Sequence, residues 1–90
     1  MPEATAVLKN PLGLHARAAA KVVAITEQFE SVILIKCASS GKSADARSIL
    51  DIMEIGARCG TTVIVSATGR DEDVALAAML DLFESGFGEI

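Results

Sequence analysis

His15 is the only histidine in the sequence, and its neighbours suggest a chemistry for it. Gly13 precedes it by two positions and Arg17 follows by two, within the run Leu12-Gly13-Leu14-His15-Ala16-Arg17-Ala18-Ala19-Ala20. Imidazole is a nucleophile that is largely unprotonated near neutral pH, with a reference pKa of ~6.5. A guanidinium nearby supplies a charged fork for phosphoryl oxygens. An alanine-rich helical pattern starts here and runs to about Gln28, so His15 falls where a loop becomes a helix. The N–H groups of a first helical turn have no internal partner, and they lie at the positive end of the helix dipole. Anions bind such an end, phosphate in particular. The backbone amides of Ala16 and Arg17 are the donors at hand, and Gly13 gives the loop freedom to shape itself round the anion. These parts suffice to carry a phosphoryl group on a ring nitrogen. Taken alone, however, H-x-R is a weak pattern, and a lone histidine before a helix is more often a cap or a surface residue.

The elements that must position this stretch follow from the periodicity. Ala4 to Leu8 suits a first strand. Lys9 to Gly13 reads as a loop, because Pro11 cannot continue a ladder. The helix from Ala16 to Gln28 repeats Ala19, Val22, Val23 and Thr26, and also Ala18, Val22, Ile25 and Phe29, at helical spacing. The first set, with Phe29, is expected to pack on a sheet. Val32 to Cys37 is a β-branched run and a strong strand. Ser39-Ser40-Gly41-Lys42 is a turn signal, and Lys42 to Ala46 can pair back as a short strand. Ser48 to Ala57 reads as a helix closed by Cys59-Gly60, and Ser48 with Asp51 has capping-box spacing. Thr61 to Ala67 is another strand. Asp71, Glu72 and Asp73 place acid at the start of a last helix, as the dipole prefers. Ser85-Gly86 ends that helix, and Phe87 to Ile90 reads as a tail. The order is β-α-β-β-α-β-α, which predicts a two-layer α/β sandwich with antiparallel character.

Composition narrows the function. Ninety residues predict one domain, 1–90, with one modest core. Apolar residues make up 51% but aromatics only 3%, so the core must be aliphatic and rich in alanine. A formal charge of -4 argues against a nucleic-acid-binding module and permits partners with basic docking surfaces. No apolar run approaches a membrane span, and no leader is apparent, so the expected location is cytoplasmic. Cys37 and Cys59 form no CxxC and have a single histidine for company, which predicts no metal site. Both are read as buried thiols acting as small hydrophobes. No acid–base pair or nucleotide loop is apparent, so no cofactor and no independent turnover are expected.

Gly13-Leu14-His15-Ala16-Arg17, with Ala19, resembles the active-site signature G-[LI]-H-[AT]-R-P-A of the HPr family. These are the histidine-containing phosphocarriers of the sugar phosphotransferase system. Ser48-Ile49-Leu50-Asp51-Ile52-Met53 resembles the family's regulatory-serine segment, K-S-I-M-G-V-M. Gly60 before a strand, and Ser66-Ala67-x-Gly69-x-Asp71-Glu72 before the last helix, fall in register. The resemblance covers nearly the whole chain. It implies an open-faced β-sandwich, with an antiparallel four-stranded sheet in order 1-4-2-3 and three helices on one face. It implies that His15 takes phosphate on Nδ1 from enzyme I, itself phosphorylated by phosphoenolpyruvate, and passes it to an enzyme II A component. Arg17 would stabilise the phosphohistidine. Ser48 would be the site of an HPr kinase/phosphorylase, and Ile49, Leu50 and Met53 an exposed apolar docking patch on a monomer.

Two positions depart from that pattern. Ala18 stands where the family has proline, and resembles the variant found in some proteobacterial HPr proteins and in nitrogen-related paralogues. Alanine starts a helix well, so His15 is expected to remain competent in a somewhat looser loop. Asp51 replaces the usual glycine near Ser48. With Asp45, it would repel a phosphate that the helix end would otherwise attract. Ser48 also has a purely structural reading, as an N-cap worth about 1 kcal/mol. Ile52 and Ile55 read as core, while Ile49 and Met53, four apart on one face, suit either core or docking. The competing function is a regulatory binding module on the same fold that acts through docking and the state of Ser48, for example in the nitrogen-related branch.

Overall fold

The computed structural model describes residues 2–88. Its elements are β1 (Glu3–Val7), α1 (Ala16–Thr26), β2 (Val32–Cys37), β3 (Ser43–Asp45), α2 (Ile49–Glu54), β4 (Thr62–Thr68) and α3 (Glu72–Glu84). A single 3-10 turn follows at Gly86–Gly88. The four strands form one antiparallel sheet in the order β1-β4-β2-β3, as the resemblance implied. No helix among the described residues is long and apolar enough to cross a membrane.

The period-2 pattern of the strands divides the sheet into two faces. Ala4, Val65, Ile35 and Ala44 stand in one cross-strand row. The last three of these are buried. Rows on either side bring Val63 level with Cys37, and Ile33 level with Ala67. The three helices close over this face. Helix α3 packs on β1, β2 and β4, α2 packs on β3, and α1 packs against α2 and α3. Val22, Ile52, Met79 and Phe83 are wholly buried, and each such side chain gains about 1.5–3 kcal/mol over exposure. The other face stays open, with Leu34 and Val32 exposed.

Helix boundaries follow local chemistry. Helix α1 buries Ala18, Ala19, Val22 and Thr26, while Val23, Ile25 and Phe29 are partly buried against the core. Thr26 is tolerated inside because its Oγ1 donates to the Val22 carbonyl at 2.9 Å. Helix α2 is shorter than the periodicity suggests. It stops at Glu54, with Ile55 as C-cap and Gly56 at φ 67°, rather than running to Ala57. The left-handed glycine turns the chain out of the helix. Ile52 and Ile55 are core, as expected.

Two expectations are corrected. Phe87 is not part of a tail: it is buried at φ 58°, and its ring meets Phe83 edge-on with centroids 5.0 Å apart. The rest of the predicted tail, residues 89–90, lies outside the described residues. Cys37 is buried as read, but Cys59 is exposed, because the turn that carries it sits outside the sheet; its Sγ reaches the Lys9 carbonyl at 3.8 Å.

Candidate functional site

His15 is the N-cap residue of α1. Its backbone is extended at φ −83° and ψ 179°, and its carbonyl accepts the first helical bond, from Ala19 N at 2.9 Å. The extended backbone folds the imidazole back over the first turn, where the Arg17 N–H donates to Nδ1 at 3.2 Å. A nitrogen that accepts from an amide carries its lone pair there and its proton on Nε2. Nδ1 is aimed at the positive end of an eleven-residue helix with no acidic residue in its first turn. Of the two amides singled out by sequence, Arg17 N meets the ring directly. The Arg17 side chain is exposed beside it.

The loop that delivers His15 is held from two sides. Asn10, wholly buried, donates from Nδ2 to the Gly13 carbonyl at 2.7 Å, and Gly13 N donates to the Asn10 carbonyl at 3.2 Å. The turn after α2 forms the other side. Leu14 N donates to the Ala57 carbonyl at 3.0 Å, while Leu8 and the turn exchange bonds through Gly60 N and the Thr61 carbonyl at 2.8 and 3.0 Å. Gly13 sits at φ 65°, and a Cβ there would lie 2.4 Å from the Ala57 oxygen and 2.8 Å from Arg58 Cα. Glycine is therefore required on two counts, conformation and space. The loop expected to be loosened by Ala18 is tied down by these bonds, and Ala18 itself is fully buried in the first turn of α1.

Sequence reading missed Asn10 and the Ala57–Arg58 turn as parts of this site. An asparagine ahead of Pro11-Leu12-Gly13 was a local signal for a side chain bonding its own turn. The approach of residues 57–58 had no local signal, because it depends on β1 and β4 being neighbours.

The second sequence motif forms a separate cap. Ser48 is the N-cap of α2, and its Oγ accepts from Asp51 N at 3.2 Å. Only half of a capping box is made, since Ser48 N donates to the Asp45 carbonyl at 3.0 Å. The Asp45 carboxylate accepts from Arg47 N at 2.9 Å, which brings a second negative charge near Ser48. Ile49, Leu50 and Met53 are all exposed, Leu50 at 73%. Leu12, beside Gly13, is exposed at 71%.

The third cap differs. Asp71 precedes α3 but makes no side-chain bond to it. Its carboxylate instead accepts from the Ser31 hydroxyl, Glu30 N and Ser31 N. These donors, the Ser31 hydroxyl foremost, hold its pKa below the ordinary carboxylate value.

The family model for the PTS HPr component phosphorylation site matches residues 2–85. The chain is 38% identical over 89 residues to phosphocarrier protein HPr of Xylella fastidiosa, covering 99% of this chain and 98% of that protein. It is 36% identical over 85 residues to phosphocarrier protein NPr of Escherichia coli, covering 94% and 93%. An HPr crystal structure from Thermoanaerobacter tengcongensis superposes with a TM-score of 0.92 at 43% identity, over 100% of this chain and 99% of that one. With the phosphorylation-site pattern matched along nearly its full length and the sheet order shared, the chain belongs to the HPr family of phosphotransferase-system phosphocarriers.

Proposed function

We propose that this protein carries a phosphoryl group on Nδ1 of His15, accepting it from enzyme I charged by phosphoenolpyruvate and giving it to an enzyme II A component. The observation that carries this reading is the Arg17 N–H donating to His15 Nδ1 at an acid-free helix N-terminus. The Nδ1 lone pair attacks phosphorus while the bond to the donor breaks and the donor keeps that electron pair. Phosphoryl oxygens then take the place of Nδ1 as acceptors for the Arg17 amide, and the Arg17 guanidinium neutralises their charge. The Ala16 amide is a second donor at the same helix end.

Ile49, Leu50 and Met53, all exposed, form the docking patch for both partners. The protein works as a single-domain monomer in the cytoplasm, is an intermediate rather than an enzyme with its own turnover, and needs no cofactor. A phosphate placed on Ser48 by a kinase/phosphorylase would gain from the helix end and be opposed by Asp51 and Asp45.

The test is transfer of labelled phosphate from phosphoenolpyruvate through purified enzyme I, sugar and nitrogen-related forms separately, to wild type and His15→Ala. Acid-labile, alkali-stable label on wild type alone is expected. The enzyme I form that charges it faster, and the enzyme II A component that then discharges it, assign the branch. Wild type left unlabelled by every enzyme I would overturn the carrier reading in favour of a regulatory binding module.

A further inference from the structure

We infer that Arg58, from the turn after α2, is a second cation for the phosphoryl group on His15. This inference rests on the carrier reading above and adds a residue outside the histidine motif.

The placement comes from the backbone. Arg58 Cα is so close to Gly13 that a Cβ on the glycine would lie 2.8 Å away. Gly13 is two residues from His15, and its own carbonyl accepts from His15 N at 3.0 Å. The two segments are not merely neighbours. The Leu14 to Ala57 bond and the paired bonds of Leu8 with Gly60 and Thr61 clamp them. Arg58 is itself fixed in the turn, since its N–H donates to Thr61 Oγ1 at 3.1 Å and its carbonyl accepts from Thr61 N at 2.9 Å. An arginine side chain spans about 7 Å from Cα to guanidinium, so His15 lies within its reach.

The charge is available. Arg58 is exposed, and among the described residues no carboxylate pairs with it. Lys9, at the start of the loop that leads to His15, is already paired with Glu84 at 2.5 Å. In a chain of net charge -4, an uncommitted guanidinium carried by a second segment, whose backbone is clamped against the loop that delivers the nucleophile, offsets the field that a dianionic phosphoryl group would otherwise meet. Arg17 and Arg58 then approach that group from two different backbone segments, as a helix end and a turn.

The experiment compares wild type, Arg58→Gln, Arg58→Lys and Arg70→Gln. Arg70 is the charge control. It pairs weakly with Glu30 at 4.0 Å and sits past the opposite end of β4, about 20 Å of strand from Arg58. His15 is phosphorylated with phosphoramidate: its P–N bond breaks, ammonia leaves and the P–Nδ1 bond forms, with the Nε2 proton exchanging with water. The pH midpoint of the phosphoryl group's second ionisation is then followed by 31P NMR. In Arg58→Gln the midpoint rises by about half a pH unit, because the dianion has lost a nearby positive charge. Arg58→Lys stays near wild type, as does Arg70→Gln. Transfer from phosphorylated enzyme I falls by about tenfold in Arg58→Gln, and wild type loses more of its rate on adding salt than that variant does.

A merely structural Arg58 would leave the phosphoryl midpoint unmoved, and that result overturns the inference. An equal shift in Arg70→Gln also overturns it, since the effect would then be net charge alone. If phosphoramidate labels wild type but enzyme I does not, the carrier reading fails while the NMR midpoint still decides Arg58. If phosphoramidate leaves His15 unlabelled, both fall.

Discussion

At the N-terminus of α1 and at that of α2, an extended residue turns its side chain back onto a helix amide at the same distance, 3.2 Å. The electrostatics of the two ends are nevertheless opposed. His15 heads an eleven-residue helix with no acid in the first turn, and Arg17 and Arg58 lie nearby. Ser48 heads a six-residue helix with Asp51 in its first turn and Asp45 close by. On the function proposed above, capping geometry is therefore not what would distinguish a phosphoryl site from a structural cap. The surrounding charge is, because a phosphate gains from a helix dipole only where no carboxylate already occupies that field. Asp71, the third cap, makes the same point by contrast: an ionised residue there turns away from its own helix and serves as acceptor for another segment.

The largest expected effect separates the two ends outright. His15→Ala abolishes acid-labile phosphate while changing stability by no more than about 1 kcal/mol, the scale of one lost cap. Label counting and urea denaturation on the same sample check both halves. Retained acid-labile phosphate would break the comparison at its root. Gly13→Ala comes next. A Cβ at φ 65°, against the Ala57 carbonyl, forces the two clamped segments apart and costs about 2–3 kcal/mol in the urea midpoint. Because the same segment delivers His15 and adjoins Arg58, transfer falls in this variant even below its unfolding range. Unchanged stability would mean that the loop yields easily and that the turn after α2 does not position the site.

Much of this molecule was legible before any coordinates. The runs Val32–Cys37 and Thr61–Ala67 are β-branched and bounded by turn residues, and both are strands. Ser48 and Asp51 were readable as a cap because the donor and acceptor lie three residues apart. What escaped was whatever depends on non-local contact. Gly56 ended α2 early, since a left-handed glycine outweighed an apolar pattern that continued through Ala57. Phe87 was read as tail because three residues past a helix end carry no periodicity, yet Phe83 offers it a ring to pack on. Cys59 was read as buried from residue type, whereas its turn projects from the sheet. The site itself divides the same way. The contact of His15 with Arg17 is local, two residues apart across the first turn of α1. Asn10 is local but was passed over, and the Ala57–Arg58 approach is set by β1 pairing with β4.

Asp71→Asn tests whether the third cap belongs to the frame rather than to the chemistry. The substitution replaces an acceptor of three donors by a group whose amide would face N–H groups. Because folding lowers the Asp71 pKa, its contribution is fully present above the ordinary carboxylate value and is lost as pH falls through the lower folded-state value. Wild type should therefore melt a few degrees above the variant at neutral pH, with the gap closing in strong acid. Transfer at neutral pH should be unchanged. A gap that persists below the carboxylate range would mean that packing, not charge, sets the difference.

The smallest effect bears most directly on why Ser48 differs from His15. Asp51→Asn removes the carboxylate from the first turn of α2, at a cost of about 0.3–0.5 kcal/mol of helix-dipole interaction. The Asp51 backbone N–H that caps onto Ser48 is kept, so the geometry of the cap is preserved while its charge changes. If the local field is what bars an anion, phosphate on Ser48 should then become favourable. With phosphoserine installed at position 48 by semisynthesis, wild type should melt no higher than its unmodified form. The Asp51→Asn protein should melt higher when phosphorylated than when not, and added salt should shrink that gain. Equal responses in the two backgrounds would leave Asp45 or the shortness of α2 as the reason that this end does not welcome phosphate, and charge in the first turn would no longer explain the contrast with α1.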